Sequence, residues 1–120
     1  MAKIAVVEDN DAMREQLCGF IAQYARESGR QLDVTAFADG AEIVDPYRPG
    51  FDIIFLDIEM PTLGGMPTAE RIRQVDPDVV LVFVTNMAQY AIRGYEVDAL
   101  DFVLKPVSYY QFSTKLERAP

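Results

Sequence analysis

The chain has 120 residues, half of them hydrophobic and a quarter charged, a composition that suits one soluble globular domain whose core needs no staple. It contains no histidine, which excludes His-based catalysis and most zinc sites, and its single Cys18 can close no internal disulfide, as in a cytoplasmic protein. Its 19 acidic against 11 basic residues leave a net charge of −8, which opposes binding of a phosphate backbone and suits a cation or a basic partner better.

No apolar run approaches the length of a membrane span and no signal peptide precedes the first predicted strand, so no membrane association is expected. That strand, Lys3 to Val7, runs straight into Glu8, Asp9, Asn10 and Asp11. Asn10 or Asp11 can cap the helix that follows, in which Met13, Leu17, Phe20, Ile21 and Tyr24 form one apolar stripe. Ser28 and Gly29 end it. Leu32 to Phe37 alternates like an edge strand, and Asp39-Gly40 opens a short helix of about two turns that Pro46 and Pro49 stop.

Ile53 to Leu56 is a continuous run of β-formers, as in a strand buried on both faces, and it ends abruptly on Asp57. In the loop from Met60 to Gly65 two adjacent glycines allow unusual backbone angles. Pro67 suits the first turn of the next helix, whose buried side carries Met66, Ala69 and Ile72, and Asp76-Pro77 breaks it. Val79 to Val84 is a second continuous apolar run, ending on Thr85 and Asn86. A helix is predicted from Met87 to Val97, with Tyr90, Ala91 and Tyr95 packing and Gly94 weakening it. Leu100 to Leu104 is a short strand ending on Lys105-Pro106, and Ser108 caps a last helix with Tyr109, Phe112 and Leu116 on one face.

Five strands alternating with five helices predict an α/β three-layer sandwich on a parallel sheet. The first, third and fourth strands are the most apolar and belong in its middle, which the flavodoxin-like order 2-1-3-4-5 satisfies with right-handed crossovers. Parallel strands bring their carboxyl ends to one edge, where ligands bind in open α/β sheets. Glu8, Asp9, Asp57, Thr85 and Lys105 therefore converge. Two carboxylates about 4 Å apart repel by roughly 4 kcal/mol at an effective dielectric near 20. Such a cluster holds protons or a hard cation, and oxygen-only ligands favour Mg²⁺ with several waters retained. A carboxylate nucleophile, a divalent cation, a hydroxyl and a lysine are the parts needed to transfer a phosphoryl group to Asp57.

These residues resemble the receiver domain of bacterial two-component response regulators, and the resemblance covers the whole chain. It implies Mg²⁺ held by Glu8, Asp9, Asp57 and the main-chain carbonyl of Glu59. Asp57, within Leu56-Asp57-Ile58-Glu59-Met60-Pro61, is then the phosphoacceptor, Thr85 the switch hydroxyl, Lys105 the partner of the phosphoryl oxygens, Phe102 the switch aromatic, and Lys105-Pro106 a cis bond. A sensor histidine kinase is the implied donor, and the only enzymatic activity implied is self-phosphorylation and self-dephosphorylation. The stretch from Thr85 to Pro106 is similar to LytTR-type regulators, which carry a β-rich DNA-binding domain after the receiver. DNA contact is thus expected only through an output domain absent from residues 1–120. A phosphorylation-dependent homodimer through the aromatic-rich face of the last two helices is the further implication. Two positions depart from the pattern: Asn86 stands where a small residue is usual, and Gly64 where many receivers have an aspartate.

Two other readings fit parts of the pattern. Asp57-x-Glu59 resembles the turn of Mg²⁺-dependent phosphohydrolases with an aspartate nucleophile, although there the nucleophile usually follows the first strand. A degenerate receiver serving only as an interaction module is the other, against which the full set of five site residues stands.

Overall fold

Successive side chains of a strand point to opposite faces, and in the strand Ile53–Leu56 both sets are apolar and buried. The computed structural model of the chain describes residues 1–86 and 101–117. Five parallel strands, β1 (Ala2–Val7), β2 (Leu32–Phe37), β3 (Ile53–Leu56), β4 (Val80–Thr85) and β5 (Asp101–Leu104), form one sheet in the order β2-β1-β3-β4-β5. This is the flavodoxin-like arrangement that the sequence predicts. Four described helices accompany it: α1 (Asp11–Ser28), α2 (Gly40–Val44), α3 (Gly65–Val75) and α4 (Tyr109–Leu116). The helix predicted from Met87 to Val97, with Tyr90 and Tyr95, lies outside the described residues.

Strand parity divides the core in two. Ile4, Val6, Phe55, Val82 and Val84 face Leu17 and Ile21 of α1 and Phe112 and Leu116 of α4. Ala5, Val7, Ile54, Leu56, Leu81 and Phe83 face Ile43 of α2 and Met66, Ala69 and Ile72 of α3. Each such Leu, Ile or Phe contributes about 1.5–3 kcal/mol by leaving water. Phe112, predicted with Leu116 on one face of the last helix, is fully buried there, its ring 4.4 Å from that of Phe55, and so is not available to a partner-binding face. A helix whose apolar stripe meets a sheet face has no other place for it.

Local signals set the element ends. Asn10 is the cap of α1, its side chain accepting from Met13 N at 2.9 Å, and Gly29 (φ 70°) ends that helix. Ser108 Oγ accepts from Gln111 N at the start of α4. The helix α2 stops at Val44, short of two turns, and both Asp45-Pro46 and Lys105-Pro106 are cis. Gly64 and Gly65 do not use the freedom glycine allows: Gly64 has φ −68° and ψ 170°, and Gly65 is helical. Space, not conformation, requires these glycines. A Cβ on Gly65 would lie 2.3 Å from the carbonyl oxygen of Asp57, and one on Gly64 2.9 Å from that of Ile58.

The chain winds one way from β1 to β2 and the other way through β3, β4 and β5. That reversal opens a crevice at the carboxyl ends of β1 and β3. No helix among the described residues is long and apolar enough to cross a membrane.

Candidate phosphoacceptor site

Register aligns the strand ends. Val7 lies beside Leu56, Leu56 beside Phe83, and Thr85 beside Leu104. The residues that follow Val7, Leu56 and Leu104 therefore leave the sheet at one edge, and they are Glu8, Asp57 and Lys105. Backbone bonds hold them there: Asp57 N donates to Val7 O at 3.0 Å, Glu8 N to Phe37 O at 3.0 Å, and Lys105 N to Thr85 O at 2.8 Å.

One carboxylate oxygen from each of Glu8, Asp9 and Asp57 falls within 4.8 Å of the others. Glu8 and Asp57 are buried, 1% and 6% exposed, while Asp9 is open to solvent. The Lys105 ammonium lies 2.8 Å from Glu8 Oε1 and 3.5 Å from Asp57 Oδ1. Its nearer partner is thus the glutamate rather than the aspartate. Asp57 Oδ1 also accepts from Ile58 N at 2.9 Å, and Glu8 Oε2 from Asn10 N at 3.1 Å. Burial, then the neighbouring Glu8 charge, raise the Asp57 carboxyl well above the ordinary carboxylate range against the pull of Lys105. Burial alone would lower the Lys105 ammonium, but Glu8 and Asp57 outweigh it and hold its pKa above the ordinary value. Among the described residues one ammonium, paired with Glu8 and Asp57, stands beside this cluster of three carboxylates, which leaves it short of positive charge.

That shortage fits a hard cation. The donors are all oxygens, and the buried Glu8 has only the Lys105 ammonium, 2.8 Å from Oε1, to set against its charge and that of Asp57. Glu8, Asp9 and Asp57 suit Mg²⁺, which takes one or two carboxylates and retains waters.

The other predicted site residues belong to the neighbouring strands and the loop after β3. Thr85 closes β4 and is buried; Asn86 after it is exposed. Phe102 is half-buried in β5, beside Phe83 and against the α2/α3 side of the core. Glu59 is exposed, and its side chain is not one of the three clustered carboxylates.

Three further residues support the site without having been picked out for it. Arg14 donates from Nη1 to Glu8 O at 2.8 Å and holds the turn after β1. Gly65 packs against the backbone of Asp57. Asp39, legible as the cap of α2, also accepts from Thr62 N at 3.0 Å and Leu63 N at 2.8 Å. For Arg14 the partner is a backbone carbonyl across the turn after β1, for Asp39 backbone groups 23 and 24 residues on, and no spacing pattern marks either. The adjacent glycines were visible, but their reason was not.

The fold and this edge define a protein class. Residues 4–117 match the family model of the response regulator receiver domain, and the chain belongs to that family. It is 31% identical to the sensory transduction protein LytT of Oceanobacillus iheyensis, over 96% of this chain and 46% of that protein. It is equally 31% identical to the transcriptional regulatory protein BtsR of Escherichia coli (strain K12), over 98% of this chain and 48% of that protein. The chain therefore spans about half the length of the curated relatives it matches. Among solved structures, the non-phosphorylated HemR receiver domain of Leptospira biflexa superposes with a TM-score of 0.84 at 30% identity, covering 98% of this chain and 93% of that one. The LytT likeness agrees with the LytTR-type resemblance of the stretch from Thr85 to Pro106.

Proposed function

We propose that residues 1–120 form a phosphoacceptor signalling domain in which Asp57 takes a phosphoryl group from a sensor histidine kinase. The observation that carries this reading is the Asp57 carboxylate at a strand end, within 4.8 Å of two further carboxylates and 3.5 Å from a lysine ammonium. In the transfer an Asp57 carboxylate oxygen forms a bond to phosphorus as the bond from phosphorus to the donor breaks. The donor, a phosphohistidine nitrogen or an acyl phosphate oxygen, leaves with the electron pair.

Glu8, Asp9, Asp57 and the Glu59 carbonyl would hold Mg²⁺, which when bound offsets charge on the phosphoryl oxygens. Lys105 exchanges part of its contact with Glu8 for a phosphoryl oxygen. Thr85 turns its hydroxyl toward the phosphoryl group, and Phe102 follows inward, a two-state packing change biased by the new contacts. The domain works on itself, by self-phosphorylation and self-dephosphorylation, in the cytoplasm. It reaches DNA only through an output domain beyond this stretch, and pairs with a second copy when phosphorylated. Asp57 follows the third strand rather than the first, which speaks against an aspartate-nucleophile phosphohydrolase.

Acetyl phosphate treatment followed by intact-mass measurement tests the assignment. One added phosphoryl group is expected with Mg²⁺, and none after chelation or in Asp57→Asn. Equal labelling of the Asn variant would overturn it.

A further inference from the structure

The loop from Asp57 to Gly64 carries both the proposed phosphoacceptor and the Glu59 carbonyl, so its shape matters to the site. Its ends are tied, Asp57 N to Val7 O at 3.0 Å and Gly65 N to Ile58 O at 2.8 Å. Its far limb, Thr62 and Leu63, donates both backbone N–H groups to one side chain, Asp39, which belongs to the turn after β2. Thr68 Oγ1 donates to the Leu63 carbonyl at 3.4 Å and completes the hold. A Cβ on Gly40 would lie 1.8 Å from Thr68 Oγ1 and 2.4 Å from the Leu63 carbonyl oxygen, so the turn and the loop are in contact.

A plain helix cap explains only part of this. Asp39 Oδ1 is shared between the cap of α2, Ala41 N at 3.0 Å, and the loop, Leu63 N at 2.8 Å, while Oδ2 accepts from Thr62 N of the loop alone. Asp39 is nine-tenths buried, so that second oxygen is a chosen contact and not one left to water. The start of α2 has separate support from Glu42, whose carboxylate accepts from Ala38 N at 3.2 Å.

We propose that Asp39 is a positioning residue of the phosphoacceptor site, its carboxylate holding the Thr62 and Leu63 N–H groups so that the Glu59 carbonyl is presented to the bound cation. The inference rests on the function proposed above. Outer-shell partners of metal ligands typically affect affinity by about 10–100-fold.

Asp39→Ser separates the two roles, because serine caps a helix well but its short side chain does not span to the loop. Asp39→Asn keeps the shape and turns one of the two acceptors into a donor facing an N–H group. Ile21→Val, in the core under α1, serves as a control that loosens the fold away from the site. Calorimetric titration with Mg²⁺ is expected to show affinity about tenfold weaker in the Ser variant and weakened in the Asn variant, with the control within twofold of wild type. Amide exchange should show Thr62 and Leu63 losing protection in the Ser variant while the start of α2 keeps it. The Asn variant decides if the Ser variant proves unfolded. Wild-type affinity for Mg²⁺ in the folded Asp39 variants would overturn this inference alone. A wild-type protein that takes up neither Mg²⁺ nor phosphate would overturn the site assignment as well.

Discussion

Lys105 belongs first to Glu8. With the ammonium 2.8 Å from Glu8 and 3.5 Å from Asp57, its removal strands a buried glutamate, which is worth more than a surface ion pair. Lys105→Ala should therefore destabilise the metal-free protein by about 1–3 kcal/mol. Because a cation at the carboxylates would replace the lost charge, the loss should shrink in Mg²⁺, and the variant should bind Mg²⁺ more tightly than wild type. Urea unfolding with and without Mg²⁺ measures both, and an equal loss in the two conditions would mean that lysine and cation do not share these carboxylates. That the lysine and the carboxylates share one site was legible in the chain, because each directly follows a predicted strand. Which carboxylate the lysine touches was not, since register and side-chain reach decide it.

At the scale of elements, α2 is five residues long, too short to persist by its own propensity, so its attachment to the loop after β3 matters. Burial works to raise the Asp39 carboxyl, but the N–H groups of Ala41, Thr62 and Leu63 outweigh it and hold the group below the ordinary value. A carboxyl depressed in the folded state adds stability above its unfolded pKa, near 4, and that stability is lost as pH falls through the folded value. Asp39→Ala should thus lower stability by about 2 kcal/mol at pH 7, and the difference from wild type should narrow steadily below about pH 4. Urea midpoints across pH check this; a difference that stayed constant down to acid denaturation would show that the charge plays no part. The cap was legible from Asp39-Gly40 before a short apolar stretch. The clamp on Thr62 and Leu63 was not, because it joins residues 23 and 24 positions apart that only the sheet brings together.

At the scale of the whole molecule, β5 and α4 leave an apolar groove of about 350 Å³ lined by Phe102, Leu104, Tyr110 and Gln111 among others. Tyr110 is 78% and Leu104 44% exposed, and this is the face proposed to pair two phosphorylated copies. Sedimentation should show the mass doubling when beryllofluoride mimics the phosphoryl group, with Phe102→Ala and Tyr110→Ala shifting the mixture back toward monomer. A wild-type mass that ignores the mimic would leave this face to another partner.

Periodicity alone determined the α/β class, the five strands, their parallel order and the edge at which Glu8, Asp57, Thr85 and Lys105 gather. Apolar runs and their abrupt endings are local properties, and a parallel sheet converts such endings into one place. Only the tertiary structure decided that Gly64 and Gly65 serve close packing, that Lys105 sits nearer Glu8, and that Asp39 grips the loop after β3. Each of these depends on which groups from distant segments meet within a few ångströms, and burial then makes those meetings costly to break.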